Sequence, residues 1–100
     1  MTTYFNLPHE LDLLINRIKV KSTADGYTDV VVQANKLHPT LWYSLLTQIN
    51  NITFLLSLYQ VHAVDGDLQD YIDKLTHVSW YNFLTKVKTI EKAVTLIETL

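Results

Sequence analysis

Few side chains of this 100-residue chain stand close enough in sequence to share a reaction or an ion. The nearest to a constellation is His62 with Asp65 and Asp67, which offers one imidazole nitrogen and two carboxylates for a divalent metal. Asp65-Gly66-Asp67-Leu68-Gln69-Asp70 also opens like a calcium loop. Such a loop requires glycine at its sixth position and glutamate at its twelfth, where this chain has Asp70 and Thr76. The same residues read more simply as a turn followed by an acidic first helical turn, with Asp67 as the cap. Carboxylate pairs for acid–base work would have to come from Asp65, Asp67, Asp70 and Asp73, and these fall on one solvated face. His9-Glu10 lacks the second histidine of a metalloprotease helix. His38 adjoins Pro39 in a loop, and His77 is placed to pack on Trp80.

The chain contains no cysteine, which removes disulfides, thiolate zinc sites and cysteine nucleophiles together. It has neither a glycine-rich phosphate loop nor a serine in a nucleophile elbow. The expectation is therefore a protein without catalysis, cofactor or resident metal, with a ligand- or metal-binding bundle built on the His62/Asp65/Asp67 corner as one alternative. Lys19 with Lys21, and Lys86, Lys88 with Lys92, make two small basic patches. They support a second alternative, a weak nucleic-acid-binding regulator. The formal net charge of −2 opposes that reading, because no basic field draws a phosphate backbone.

Hydrophobic residues make up 48% of the chain and charged residues 18%, so apolar surface exceeds what the charges readily solvate. Either the core is dense or another chain covers part of it. Met1-Thr2-Thr3-Tyr4-Phe5 has no positive charge and no apolar run, so it does not read as a signal peptide. No stretch is apolar for long enough to span a bilayer. Cytoplasm is the expected compartment, with no membrane partner.

The elements follow from spacing. Leu7, Leu11, Leu14 and Ile18 predict a helix over 7–21, with Pro8 in its first turn. Glu10 and Asp12 near its start and Arg17, Lys19 and Lys21 near its end would complement the helix dipole. Tyr27 to Gln33 has three consecutive valines and strand propensity. However, Tyr27, Val30, Val31, Ala34 and Leu37 share one helical face, and a lone strand would leave its backbone unpaired. A helix over 28–37 is the expectation. Trp42, Leu45, Ile49, Ile52, Leu56 and Tyr59 then form a 3-4-3-4-3 seam. This third helix is apolar nearly all round, which places it in the middle of the fold. A short helix begins at Asp67 and uses Leu68, Tyr71, Ile72 and Leu75. Ser79 is expected to cap the last helix, whose seam is Trp80, Phe83, Val87, Ile90, Val94 and Ile97.

Trp42-Tyr43-Ser44-Leu45-Leu46-Thr47-Gln48-Ile49 resembles Trp80-Tyr81-Asn82-Phe83-Leu84-Thr85-Lys86-Val87, which lies 38 residues later. A fainter copy, Tyr4-Phe5-Asn6-Leu7, lies the same distance upstream. An Asp-Gly dipeptide precedes both main copies, as Asp25-Gly26 and Asp65-Gly66. The period suggests stacked helical units that bind partners rather than do chemistry. The expected architecture is one all-α domain over 1–100 with five helices, three long and two short, as a compact bundle or short helical-repeat stack. The expected function is a small non-enzymatic protein–protein interaction module, an adaptor, inhibitor or regulator, working as a homodimer. Its contact residues are placed at the open end of the stack, on Tyr81, Leu84, Leu96 and Leu100, with Tyr43 as an extension.

Overall fold

The computed structural model describes residues 6–77 and 82–100. Five helices run in the order α1 (Leu7–Asp25), α2 (Thr28–Asn35), α3 (Leu45–Ala63), α4 (Gly66–His77) and α5 (Phe83–Ile97), with a 3-10 turn at Trp42–Ser44 leading into α3. No strand occurs among the described residues. The alternation long-short-long-short-long is the one expected from spacing. α1, α3 and α5 pack against one another, α2 lies over the groove between α1 and α3, and α4 over the groove between α3 and α5. α3 touches all four other helices, which is where an all-round apolar helix belongs.

The seams supply the core. Leu11, Leu14 and Ile18 from α1 meet Leu45, Ile49, Ile52, Leu56 and Tyr59 from α3. Val87, Ile90, Val94 and Ile97 from α5 complete the triangle, all four without solvent exposure. α2 contributes Val30 and Ala34, so helical periodicity prevails there over the valines' strand propensity. Burying each of these branched side chains is worth roughly 1.5–3 kcal/mol, which makes the seam itself the main source of stability.

Several local expectations are corrected. α1 continues to Asp25 because Gly26 adopts φ 75°, and its N–H closes the last turn on the carbonyls of Ser22 and Thr23. Arg17, Lys19 and Lys21 consequently sit within the helix, and no basic residue lies in its last turn. α2 stops at Asn35 rather than residue 37. Trp42 does not extend the α3 seam. It stands on the 3-10 turn with its ring largely in solvent.

The 38-residue repeat is not confirmed. Its two Asp-Gly dipeptides do different work, for Gly26 ends α1 in a left-handed conformation whereas Gly66 is the first residue of α4. Tyr4, Phe5, Trp80 and Tyr81, the Ser79 cap and the contact of His77 with Trp80 lie outside the described residues.

Two polar clamps fix the connection between α2 and α3. The buried Thr40 donates its N–H and its hydroxyl to Asp12 Oδ1, at 3.0 and 2.7 Å. The buried Gln48 donates from Nε2 to the His38 carbonyl at 2.9 Å and accepts from Asn51 Nδ2 at 2.9 Å. Across the bundle, Arg17 grips Glu98 with two guanidinium nitrogens and reaches Thr95 Oγ1 at 3.3 Å, tying α1 to the end of α5. The Ser22 hydroxyl is the exception: it is buried with no partner among the described residues.

Leu56→Ala, at a fully buried position of α3, is expected to lose roughly 2–5 kcal/mol in urea denaturation, the range for leucine deletions that leave cavities. Ser22→Ala removes an unsatisfied hydroxyl and is expected to be neutral or to gain up to about 1 kcal/mol in the same assay.

Candidate functional site

The most distinctive surface belongs to α3. From Leu37 to Val64 the chain has no Lys, Arg, Asp or Glu, and all 19 residues of α3 fall inside that stretch. Its inner side is the core seam. Its outer side carries Thr47, Asn50, Phe54, Ser57 and Val61, preceded by Tyr43 on the 3-10 turn and followed by Val64. Within α3, Thr47, Asn50, Phe54, Ser57 and Val61 step 3-4-3-4, so they form one stripe along the helix, with Tyr43 and Val64 flanking its two ends. Tyr43 is 87% exposed, Phe54 52%, Val61 73% and Val64 77%. Trp42 lies beside Tyr43 at 58%. Thr47 and Asn50 are exposed, and the Asn50 amide has no hydrogen-bond partner among the described residues. Single exposed apolar residues are ordinary, but several in register along a face without charge are not.

Val64 ends α3 at φ 44°, ψ 76°, in the left-handed region. Its N–H donates to the Gln60 carbonyl at 2.8 Å and closes the last turn. Glycine or asparagine usually takes this position, because a β-branched side chain there crowds its own backbone. Such strain costs of order 1–3 kcal/mol. The exposed Val64 side chain recovers little of that by burial within the monomer.

A second cluster forms where the end of α1, the start of α2 and the end of α3 converge. The Tyr27 ring stacks on His62 with centroids 4.3 Å apart and planes at 12°, and meets Tyr59 edge-on at 5.0 Å. Tyr59 donates its hydroxyl to Asp25 Oδ2 at 2.5 Å, while Lys21 Nζ reaches Asp25 Oδ1 at 3.3 Å. His62 Nε2 lies 2.7 Å from Asp29 Oδ1. The Tyr59 hydroxyl holds the Asp25 carboxyl below the usual carboxylate range, with Lys21 adding to the effect. His62 does the same for Asp29, and Arg17 for Glu98. Burial, helped by the Asp25 carboxylate, pushes the Tyr59 phenol well above its ordinary value.

These contacts redistribute the residues that spacing had grouped. His62 turns to Asp29 and Tyr27. Asp65 caps α4, its Oδ1 accepting from the Leu68 N–H at 3.0 Å and its own N–H donating to Gln60 Oε1 at 3.2 Å. The cap is thus Asp65, not Asp67. No group of three or more His, Asp or Glu among the described residues is placed to hold a metal ion. Of the lysines grouped on the last helix, Lys86 is buried while Lys88 and Lys92 face solvent, so they do not make one continuous basic surface. An open groove of about 320 Å³ runs between α1 and the α2–α3 connection, and the Asp12 carboxylate on its wall is already engaged by Thr40.

The residues expected from the sequence as a contact surface differ in exposure. Tyr43 is exposed at one end of the α3 stripe. Leu96 is partly buried against the core, on the helix that α4 and α1 both contact. Leu84 is half-buried and Leu100 is exposed near the C-terminus, while Tyr81 lies outside the described residues. Phe54, Val61 and Val64, exposed on this face, are not among the contact residues expected from the sequence. The signal that could have found them is the absence of charge over Leu37–Val64, which no buried seam alone demands. No described helix is long and apolar enough to cross a membrane. The chain matches no known protein family, no curated protein and no solved structure.

The titration directions set a pH window. Asp25, Asp29 and Glu98 have folded-state pKa values below their unfolded ones, so their stabilising contribution is complete above about pH 4–5 and is lost as pH falls below it. Tyr59 has the opposite sign, contributing below its unfolded value near 10 and progressively less as pH rises beyond it. Urea midpoints are expected to be flat between about pH 5 and 9 and to fall on both sides. Tyr59→Phe should cost about 1–2 kcal/mol at pH 7 and reduce the alkaline fall. An unchanged alkaline limb would show that the Tyr59–Asp25 bond does not set it.

Proposed function

We propose that the chain is a non-enzymatic protein–protein interaction module, an adaptor, inhibitor or regulator, and that it binds through the uncharged outer face of α3. The carrying observation is the stripe from Tyr43 through Phe54 and Val61 to Val64, exposed and free of formal charge along the whole of the central helix. Burying a charge without a partner costs several kcal/mol, so a face without charges can be covered with little electrostatic penalty. Aromatic and aliphatic side chains held by a rigid helix also contribute contact area with little ordering cost. The homodimer expected from the sequence fits this face better than the α5 surface, where Leu96 is already partly buried against the core. Tyr43 is the contact residue common to both readings.

The test compares the intact chain with Phe54→Asp and Leu84→Asp. Phe54 is half exposed, so Phe54→Asp is expected to change stability by less than about 0.5 kcal/mol while abolishing stoichiometric retention of a protein, either a second copy or another chain. Loss with Leu84→Asp and retention with Phe54→Asp would move the site to α5. Retention of no protein by the unmodified chain, in sedimentation and in affinity capture alike, would overturn the reading.

A further inference from the structure

The same face carries a more specific statement, which rests on the reading above: we infer that its occupant is a second copy of this chain, packed α3 against α3, antiparallel, across a two-fold axis near Phe54. A two-fold contact requires each residue to meet its complement when the surface is turned end for end. The α3 stripe meets this condition. Turned about Phe54, it brings Tyr43 to the partner's Val64, the Thr47 methyl to the partner's Val61, Asn50 to the partner's Ser57 and Phe54 to the partner's Phe54. Apolar positions thus meet apolar ones, and the two central polar positions meet each other. The exposed Asn50 amide offers donors and an acceptor, and the Ser57 hydroxyl, which donates to the Thr53 carbonyl at 3.0 Å, keeps lone pairs to accept from it. A parallel arrangement would instead place Asn50 on Asn50 and Ser57 on Ser57, and would leave Tyr43 against Tyr43.

Charge points the same way. A partner with a charged contact face would leave its charges desolvated and unpaired against α3, whereas a second copy presents a face as neutral as the first. Val64 provides an independent observation. An exposed valine in a left-handed conformation destabilises the monomer, and glycine or asparagine would relieve it. In the dimer Val64 lies against the partner's Tyr43, so the strained residue becomes a contact. The 19 residues of α3 span about 28 Å, close to the 33 Å length of the molecule, yet a single helix pair lies at the small end of stable interfaces. The association is therefore expected to be reversible, with Kd on the order of 10–100 μM.

Because the chain has no cysteine, single introduced thiols report the geometry directly. Under mild oxidation Phe54→Cys is expected to form a covalent dimer at least tenfold faster than Val20→Cys, an exposed control on α1. A mixture of Tyr43→Cys and Val64→Cys is expected to cross-link faster than Tyr43→Cys alone. Sedimentation equilibrium should show a monomer–dimer equilibrium that Phe54→Asp abolishes. Val64→Asn should raise the urea midpoint while weakening the dimer, two effects of opposite sign that a purely structural residue would not give. A monomer up to 1 mM, or equal cross-linking of Phe54→Cys and Val20→Cys, would overturn the inference. Should a different protein still be lost from capture by Phe54→Asp in that case, the interaction module would stand with another partner. Should none be lost, both readings would fail. Cross-linking of Tyr43→Cys with itself in preference to Val64→Cys would overturn the antiparallel arrangement.

Discussion

Everything in this fold depends on the burial of one side of α3. A chain this small has room for a single core, and here that core is arranged around Ile49, Ile52, Leu56 and Tyr59, which face inward from the central helix. α1 and α5 are held because their own seams close on these residues and on each other. The short helices are held because they cover the two grooves that the long ones leave. The polar contacts then choose one geometry among the packings that burial alone would permit. Asp12 with Thr40 and Gln48 with His38 fix where α3 begins, Tyr59 with Asp25 fixes where α1 ends, and Arg17 with Glu98 fixes the end of α5.

The architecture was legible because three- and four-residue spacing reports burial directly. Leu45 to Tyr59 and Val87 to Ile97 lie in the core as their spacing requires. Helix ends were less legible, because they turn on backbone conformation. With Gly26 in the left-handed region, α1 runs to Asp25, about a turn beyond the expected end at residue 21. The identical dipeptide at Asp65-Gly66 starts a helix, because Val64 has already taken the left-handed position that glycine would be expected to fill. Local sequence similarity was misleading for the same reason. Trp42 fits a heptad seam by position, but the 3-10 turn directs it to solvent.

The candidate site was legible only in part. The corner formed by Asp25, Tyr27, Asp29, Tyr59 and His62 joins residues more than thirty positions apart, and no spacing rule connects Tyr59 to Asp25 or His62 to Asp29. Within the sequence His62 stands nearest to Asp65 and Asp67, which made a metal corner plausible. In the fold each of Asp65 and His62 has a structural partner elsewhere. Placing the contact surface on α5 followed from treating the chain as a stack with an open end. In the fold α4 and α1 both pack on α5, and Leu96 is partly buried against the core while Leu100 stays exposed.

Burial does not account for the neutrality of α3. α1 and α5 also bury one side, yet their outer sides carry Glu10, Arg17 and Lys19, and Lys88, Glu91 and Lys92. A soluble helix ordinarily places such charges where water can reach them. α3 has an outer side of similar extent and fills it with Tyr43, Thr47, Asn50, Phe54, Ser57 and Val61. Placing lysine or glutamate at Asn50 or Phe54 would cost the monomer little, because both positions are solvent-exposed. Glycine at Val64 would stabilise it. The surface therefore departs from what the isolated monomer requires at several positions in one line, and at Val64 it does so against local backbone preference. A face that is costly or indifferent to its own monomer is what the proposed α3–α3 contact would explain, because each of these positions would then meet its complement.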